Sequence, residues 1–178
     1  DLNNDGILDL AAANEVAGTI SVRMGNGVGG FFAASSFGMG AGTCGVGLTD
    51  LNADGKLDIV AANTVAMTIS WRLNSGAGFG ALNAIASTSP PESLTMADVN
   101  ADGLLDALTA NPAGGEINVA LGNGAGLAPV NNFGTAAADP FDLAVVDMNG
   151  DGLQDVVTGN DITNNFSILF GNGAGAIR

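Results

Sequence analysis

The sequence predicts an all-β repeat fold, on three observations. One nine-residue pattern, DxNxDGxxD, recurs four times, at Asp1–Asp9, Asp50–Asp58, Asp98–Asp106 and Asp147–Asp155, with offsets of 49, 48 and 49 residues. Short apolar segments with a period of two accompany every copy, the signature of half-buried strands. The composition is that of a turn-rich chain: 178 residues hold 28 Gly and no Tyr, and Lys and Arg together number 4, so good helix formers are scarce.

Taken in order, each loop is followed by a strand, LAAAN, IVAAN, ALTAN or VVTGN, ending at Asn14, Asn63, Asn111 and Asn160. The next strand alternates: Ile20, Val22 and Met24 in the first unit, then Ile69, Trp71 and Leu73, Ile117, Val119 and Leu121, and Phe166, Ile168 and Phe170. This period places those residues on the inner face, with Trp71 as core. A Gly-rich turn and an outer strand follow. Before the second, third and fourth loops lie VGLTD, LTMAD and LAVVD, short inner strands that lead directly into the loop. Four short antiparallel strands in about 48 residues is the content of one propeller blade. On this reading residues 1–178 form a single repeat domain, a β-propeller-like array of four blades. The first, 1–37, lacks its leading strand; 38–86 and 87–134 are whole; and 135–178 has an incomplete outer strand. Closure of the array into a ring stays open.

The repeated loop has the chemistry of a hard-cation site. Side-chain oxygens at positions 1, 3 and 5 are Asp1, Asn3 and Asp5; Asp50, Asn52 and Asp54; Asp98, Asn100 and Asp102; and Asp147, Asn149 and Asp151. The backbone carbonyl of position 7 (Ile7, Lys56, Leu104, Leu153) adds an oxygen, and the carboxylate of position 9 (Asp9, Asp58, Asp106, Asp155) closes the shell. Glycine at position 6 permits the sharp turn that such convergence needs. Calcium accepts about six to eight oxygens in loose geometry, magnesium demands a stricter octahedron, and transition metals favour the His that this chain lacks. The expected cofactor is therefore Ca²⁺, about four ions, one per repeat. An EF-hand is excluded, because position 12 is Ala12, Ala61, Thr109 or Thr158 rather than Glu.

The four loops, the strands ending in Asn and the turns Gly25-Asn26-Gly27, Gly122-Asn123-Gly124 and Gly171-Asn172-Gly173 together resemble the FG-GAP or VCBS repeat family. Asn74-Ser75-Gly76 is the divergent turn. Phe31 and Phe79 match the aromatic that follows it, with Leu127 and Ile177 in its place in the other units. The family includes the calcium-bearing blades of integrin α-subunit propellers and many bacterial surface and secreted proteins. The resemblance thus implies calcium-binding blades and an extracellular or cell-surface location.

Charge narrows the function. Asp and Glu number 18 against 4 Lys and Arg, a net charge of −14, which excludes a phosphate-binding surface and hence nucleic acid as a partner. No apolar run approaches the roughly 20 residues of a membrane helix, so no membrane insertion is expected. Without His or Tyr, and with one Cys, Cys44, there is no nucleophile and base pair, so no enzyme is expected. Outside the loops the acids are only Glu15, Glu92, Glu116, Asp139, Asp142 and Asp161, at unlike positions of different repeats. The function expected is an extracellular calcium-binding structural or adhesive module, with Ca²⁺ rigidifying each blade and with self-association into a fibre or surface layer. The alternative is a lectin-like or integrin-like propeller domain of a larger secreted or surface protein. Partners are then other copies, or extracellular proteins or glycans.

Overall fold

The computed structural model describes residues 1–135 and 139–178. Among these residues, fourteen strands form four antiparallel sheets, none of them closed. The first sheet is β1 (Leu10–Asn14), β2 (Thr19–Arg23) and β3 (Ser35–Gly38). The second is β4 (Thr43–Thr49), β5 (Asp58–Asn63), β6 (Thr68–Arg72) and β7 (Asn83–Ala86). The third is β8 (Thr95–Ala97), β9 (Asp106–Asn111), β10 (Glu116–Ala120) and β11 (Asn131–Gly134); the fourth is β12 (Pro140–Val146), β13 (Asp155–Asn160) and β14 (Asn165–Leu169). Strands follow one another as neighbours, so every sheet is a meander. The fourth sequence unit, 135–178, includes residues 136–138, which lie outside the described residues. A single 3₁₀ turn, Pro112–Gly114, is the one helical element among the described residues, and none is long and apolar enough to cross a membrane.

Sheets pack face to face, and each pair of neighbours shares one apolar cluster. Ile20, Val22 and Met39 meet Ile59 and Ala61 between the first and second sheets; Val60, Ile69 and Trp71 meet Ala107, Ala120 and Leu127 between the second and third. Leu108, Ala110, Ile117 and Val119 meet Leu143, Val156 and Leu169 between the third and fourth. The period-two strands are therefore buried as read, with Trp71 lying across Gly126: a Cβ there would come within 2.7 Å of the indole. All four residues placed after the Gly-rich turn, Phe31, Phe79, Leu127 and Ile177, bridge back to Gly25, Asn74, Gly122 and Gly171.

The fourth sheet departs from the pattern. Phe166 and Phe170 carry the inner-face phase, yet they are 68% and 44% exposed, since none of the four sheets packs on that face. Cys44 is half-buried; its Sγ–H points at Pro91 O, 3.3 Å away, and burial above all pushes the thiol up, which keeps it protonated.

Polar side chains tie successive sheets together. Ser70 Oγ and Asn63 Nδ2 donate to Met39 O, and Arg72 donates through Nε and Nη2 to Gly38 O at the end of β3. Glu116, at the start of β10, accepts from Thr88 and Ser89, which follow β7, and from Asn132 of β11. Burial pushes its carboxyl up, but those bonds outweigh it and hold the group below the usual Glu range. A depressed folded pKa contributes stability that is complete above the unfolded value and fades as pH falls through the folded one. Glu116→Gln is accordingly expected to cost about 1 kcal/mol near pH 7 and much less near pH 3, read from urea midpoints of both proteins at each pH.

Candidate metal centre

Each acidic loop joins the end of an inner strand to the next strand. Asp50–Asp58 runs from β4 into β5, Asp98–Asp106 from β8 into β9, and Asp147–Asp155 from β12 into β13, while Asp1–Asp9 leads into β1. The loops are coiled by two left-handed residues. Gly6, Gly55, Gly103 and Gly152 have φ between 81° and 86°, as the sequence implied for position 6. Position 4 is left-handed too: Asn4, Ala53, Ala101 and Gly150 have φ of 60°, 57°, 59° and 77°. Sequence reasoning missed this, since only Asn4 and Gly150 are residues that favour such a conformation. An Ala there costs about 1 kcal/mol, and Ala101→Gly is expected to raise stability by about 0.5–1 kcal/mol, seen as a higher urea midpoint.

With the backbone so coiled, the N–H groups of positions 5, 6 and 7 turn toward the loop's own side chains. Asp1 accepts from Asp5 N (3.1 Å) and Gly6 N (2.8 Å), Asn3 Oδ1 from Asp5 N, and Asp5 Oδ1 from Ile7 N. The set recurs around Asp50, Asn52 and Asp54 and around Asp98, Asn100 and Asp102. The fourth loop differs in one bond, with Gly150 N in place of Asp151 N on Asp147 Oδ1. In all four, the Asn amide donates to the position 5 carboxylate.

Position 9 does something the sequence did not suggest. Asp9 accepts Leu2 N on one oxygen and Gly25 N on the other; Asp58 accepts Leu51 N and Asn74 N; Asp106 accepts Val99 N and Gly122 N; Asp155 accepts Met148 N and Gly171 N, all at 2.6–3.0 Å. One oxygen therefore closes the loop on its own position 2, and the other pins it to the Gly-rich turn, always 16 residues downstream. That constant spacing is the signal that could have found it. Asn74, the divergent turn residue, adds a tether between repeats, donating from Nδ2 to Leu2 O of the first loop at 2.7 Å. The first two loops also touch directly, Asn4 Nδ2 to Gly55 O, and the last two line a cleft of about 410 Å³ that includes Asp98, Ala101, Gly152 and Leu153.

Electrostatics set Asp58 and Asp106 apart from Asp54 and Asp147. Burial, reinforced by the two other carboxylates of the same loop, pushes Asp58 and Asp106 above the usual Asp range against the pull of their backbone N–H donors. The more exposed Asp54 and Asp147 lie below it. At Asp54 slight desolvation is outweighed by Asn52 and by Lys56, whose Nζ is 3.3 Å away; at Asp147 the Gly152 N–H is the main cause. Among the described residues, no three His, Cys, Asp or Glu side chains are assembled as a group that could hold a metal ion. What the loops offer is an all-oxygen set at positions 1, 3 and 5, with Asn3, Asp5, Asp54, Asp102, Asn149 and Asp151 open to solvent. That donor chemistry suits a hard cation rather than zinc or copper.

The repeat unit defined by these loops is also the unit that comparison recognises. A model of the FG-GAP-like repeat matches residues 1–61, 50–109 and 98–158, each match starting on position 1 of an acidic loop. The chain belongs to the FG-GAP-like repeat family. Among solved structures it is similar to the crystal structure of the V. cholerae biofilm matrix protein Bap1, with a TM-score of 0.55 and 18% identity over 99% of this chain. The match spans 28% of that protein's length, and identity this low is a likeness of fold. No curated protein matches the chain.

Proposed function

We propose that this chain is a calcium-stabilised repeat array of an extracellular structural or adhesive protein. In this reading the four sheets are blades of a β-propeller-like stack, and the loops Asp1–Asp9, Asp50–Asp58, Asp98–Asp106 and Asp147–Asp155 each hold one Ca²⁺. Asp, Asn and Asp at positions 1, 3 and 5 would hold the ion with the position 7 carbonyls of Ile7, Lys56, Leu104 and Leu153. Position 9 keeps its backbone donors and contributes its remaining lone pairs. When bound, calcium neutralises carboxylates that otherwise repel one another.

The observation that carries the proposal is the fourfold recurrence of one loop, two carboxylates and an amide held by the same backbone donors, with 12 of the chain's 18 acids in the four loops. Solvated turns have no need of that repetition. The resemblance in fold to a biofilm matrix protein supports the extracellular assignment, as does the family. Four divalent ions would also cancel more than half of the −14 charge, leaving a surface poor in repulsion and suited to association.

Equilibrium dialysis against calcium tests the reading. We expect about four ions per chain, and about one fewer after Asp98→Asn with Asp102→Asn. Stoichiometry near zero, or unchanged in the double variant, would rule it out.

A further inference from the structure

One side chain joins two of the acidic loops. The turn residue that donates its N–H to position 9 is Gly25, Gly122 and Gly171 in three repeats and Asn74 in the second. At the three glycines a Cβ would lie 2.4, 2.7 and 2.0 Å from the position 8 carbonyls of Leu8, Leu105 and Gln154, so a side chain is excluded there. In the second repeat the corresponding carbonyl, Leu57 O, instead accepts from Asn74 Nδ2 at 3.1 Å. The same amide also donates to Leu2 O, position 2 of the first loop, at 2.7 Å, and Asn74 Oδ1 accepts from Gly76 N at 2.9 Å. Asn74 is 3% exposed, so this is a buried polar group with its donors and its acceptor in use.

Asn74 thereby stands in the middle of a chain of bonds between two position 9 carboxylates. Asp9 accepts from Leu2 N, Leu2 O from Asn74 Nδ2, and Asp58 from Asn74 N. The side chains of Leu2 and Leu57 both pack in the apolar cluster between the first and second sheets, which holds the two ends of the bridge in place. The other contact between these loops, Asn4 Nδ2 to Gly55 O at 3.2 Å, is exposed. Among the described residues no hydrogen bond from a side chain joins the second loop to the third, or the third to the fourth.

We propose that Asn74 couples the calcium sites of the first and second loops, so that an ion in one raises the affinity of the other, while the third and fourth loops bind independently of each other. An ion that sets the first loop fixes Leu2, and with it Asn74 and Asp58, so the second ion meets a loop already ordered. By linkage the effect is reciprocal. The first two repeats would then rigidify together over a narrower range of calcium than the last two. Asn74 acts here as a positioning residue, and the inference rests on the calcium reading of the loops.

Amide NMR spectra across a calcium titration test it, because the position 6 glycines, Gly6, Gly55, Gly103 and Gly152, each donate to the position 1 carboxylate of their own loop and report its occupancy separately. The first loop is disabled by Asp1→Asn with Asp5→Asn, in the parent chain and in Asn74→Gly. That substitution installs the residue of the other three turns and keeps the backbone donor to Asp58. We expect loss of the first loop to move the Gly55 midpoint to roughly two- to tenfold higher calcium in the parent chain, the worth of about one hydrogen bond, and to leave it in place in Asn74→Gly. Disabling the third loop with Asp98→Asn and Asp102→Asn should leave the Gly152 midpoint where it was. A Gly55 midpoint indifferent to the first loop, a shift that survives Asn74→Gly, or an equal shift at Gly152 overturns the proposal. A structural role alone would lower the melting temperature of Asn74→Gly and leave the shift intact. Position 6 amides that ignore calcium altogether remove the calcium reading itself, whereas four that respond with independent midpoints remove only the coupling.

Discussion

Asp106→Ala should lower the unfolding free energy by about 2–4 kcal/mol, among the largest effects of any single polar substitution in this chain. The side chain is fully buried and accepts from Val99 N at 2.9 Å and Gly122 N at 2.8 Å. Removing it leaves two buried donors unpaired, each worth about 1–3 kcal/mol, and releases the third loop from the turn after β10. Ionised Asp106 is itself disfavoured by burial, so part of that loss is returned, and the lower half of the summed range is the reasonable expectation. Asp102→Ala makes the contrast. Asp102 is exposed, its bonds are to the neighbouring Asn100 and Leu104, and in chelator its loss should cost less than about 1 kcal/mol. Urea unfolding of both variants in chelator reads the difference. Equal costs would mean that position 9 is no pin.

Much of the fold was legible because its repeat is written at three levels. The acidic loops fix the phase, the period-two residues Ile20, Val22, Ile69, Trp71, Ile117 and Val119 fix the buried face, and Phe31, Phe79, Leu127 and Ile177 mark the return from each turn. Failures occurred where an outcome depends on a partner distant in sequence. Phe166 and Phe170 have an inner-face pattern, but burial needs a neighbouring sheet, which local periodicity does not report. Asn74 looked like a degenerate turn glycine until its contact with Leu2, 72 residues away, made it a tether. Arg72, for which local sequence names no partner, clasps the Gly38 carbonyl of the preceding sheet. In the loops, residue types announced an oxygen-rich site. The left-handed Ala53 and Ala101 went unseen, because nothing in an alanine signals positive φ.

Calcium should be the largest single determinant of stability. Each loop confines three carboxylates, and like charges a few ångströms apart repel by on the order of 1 kcal/mol even in water. At free calcium roughly ten times the dissociation constant, one site that exists only in the fold adds about 1.4 kcal/mol, and four independent sites about 5–6 kcal/mol. For a chain of this size that corresponds to a melting temperature higher by roughly 10–20 °C. Part of the gain comes from setting the loops that join inner strands to β5, β9 and β13, so unfolding in chelator should begin there. The direct measurement is thermal unfolding by circular dichroism in millimolar calcium and again in excess EGTA. We expect the EGTA curve to lie well below the calcium curve and to return on recalcification; superimposable curves would contradict a structural role for calcium in this array.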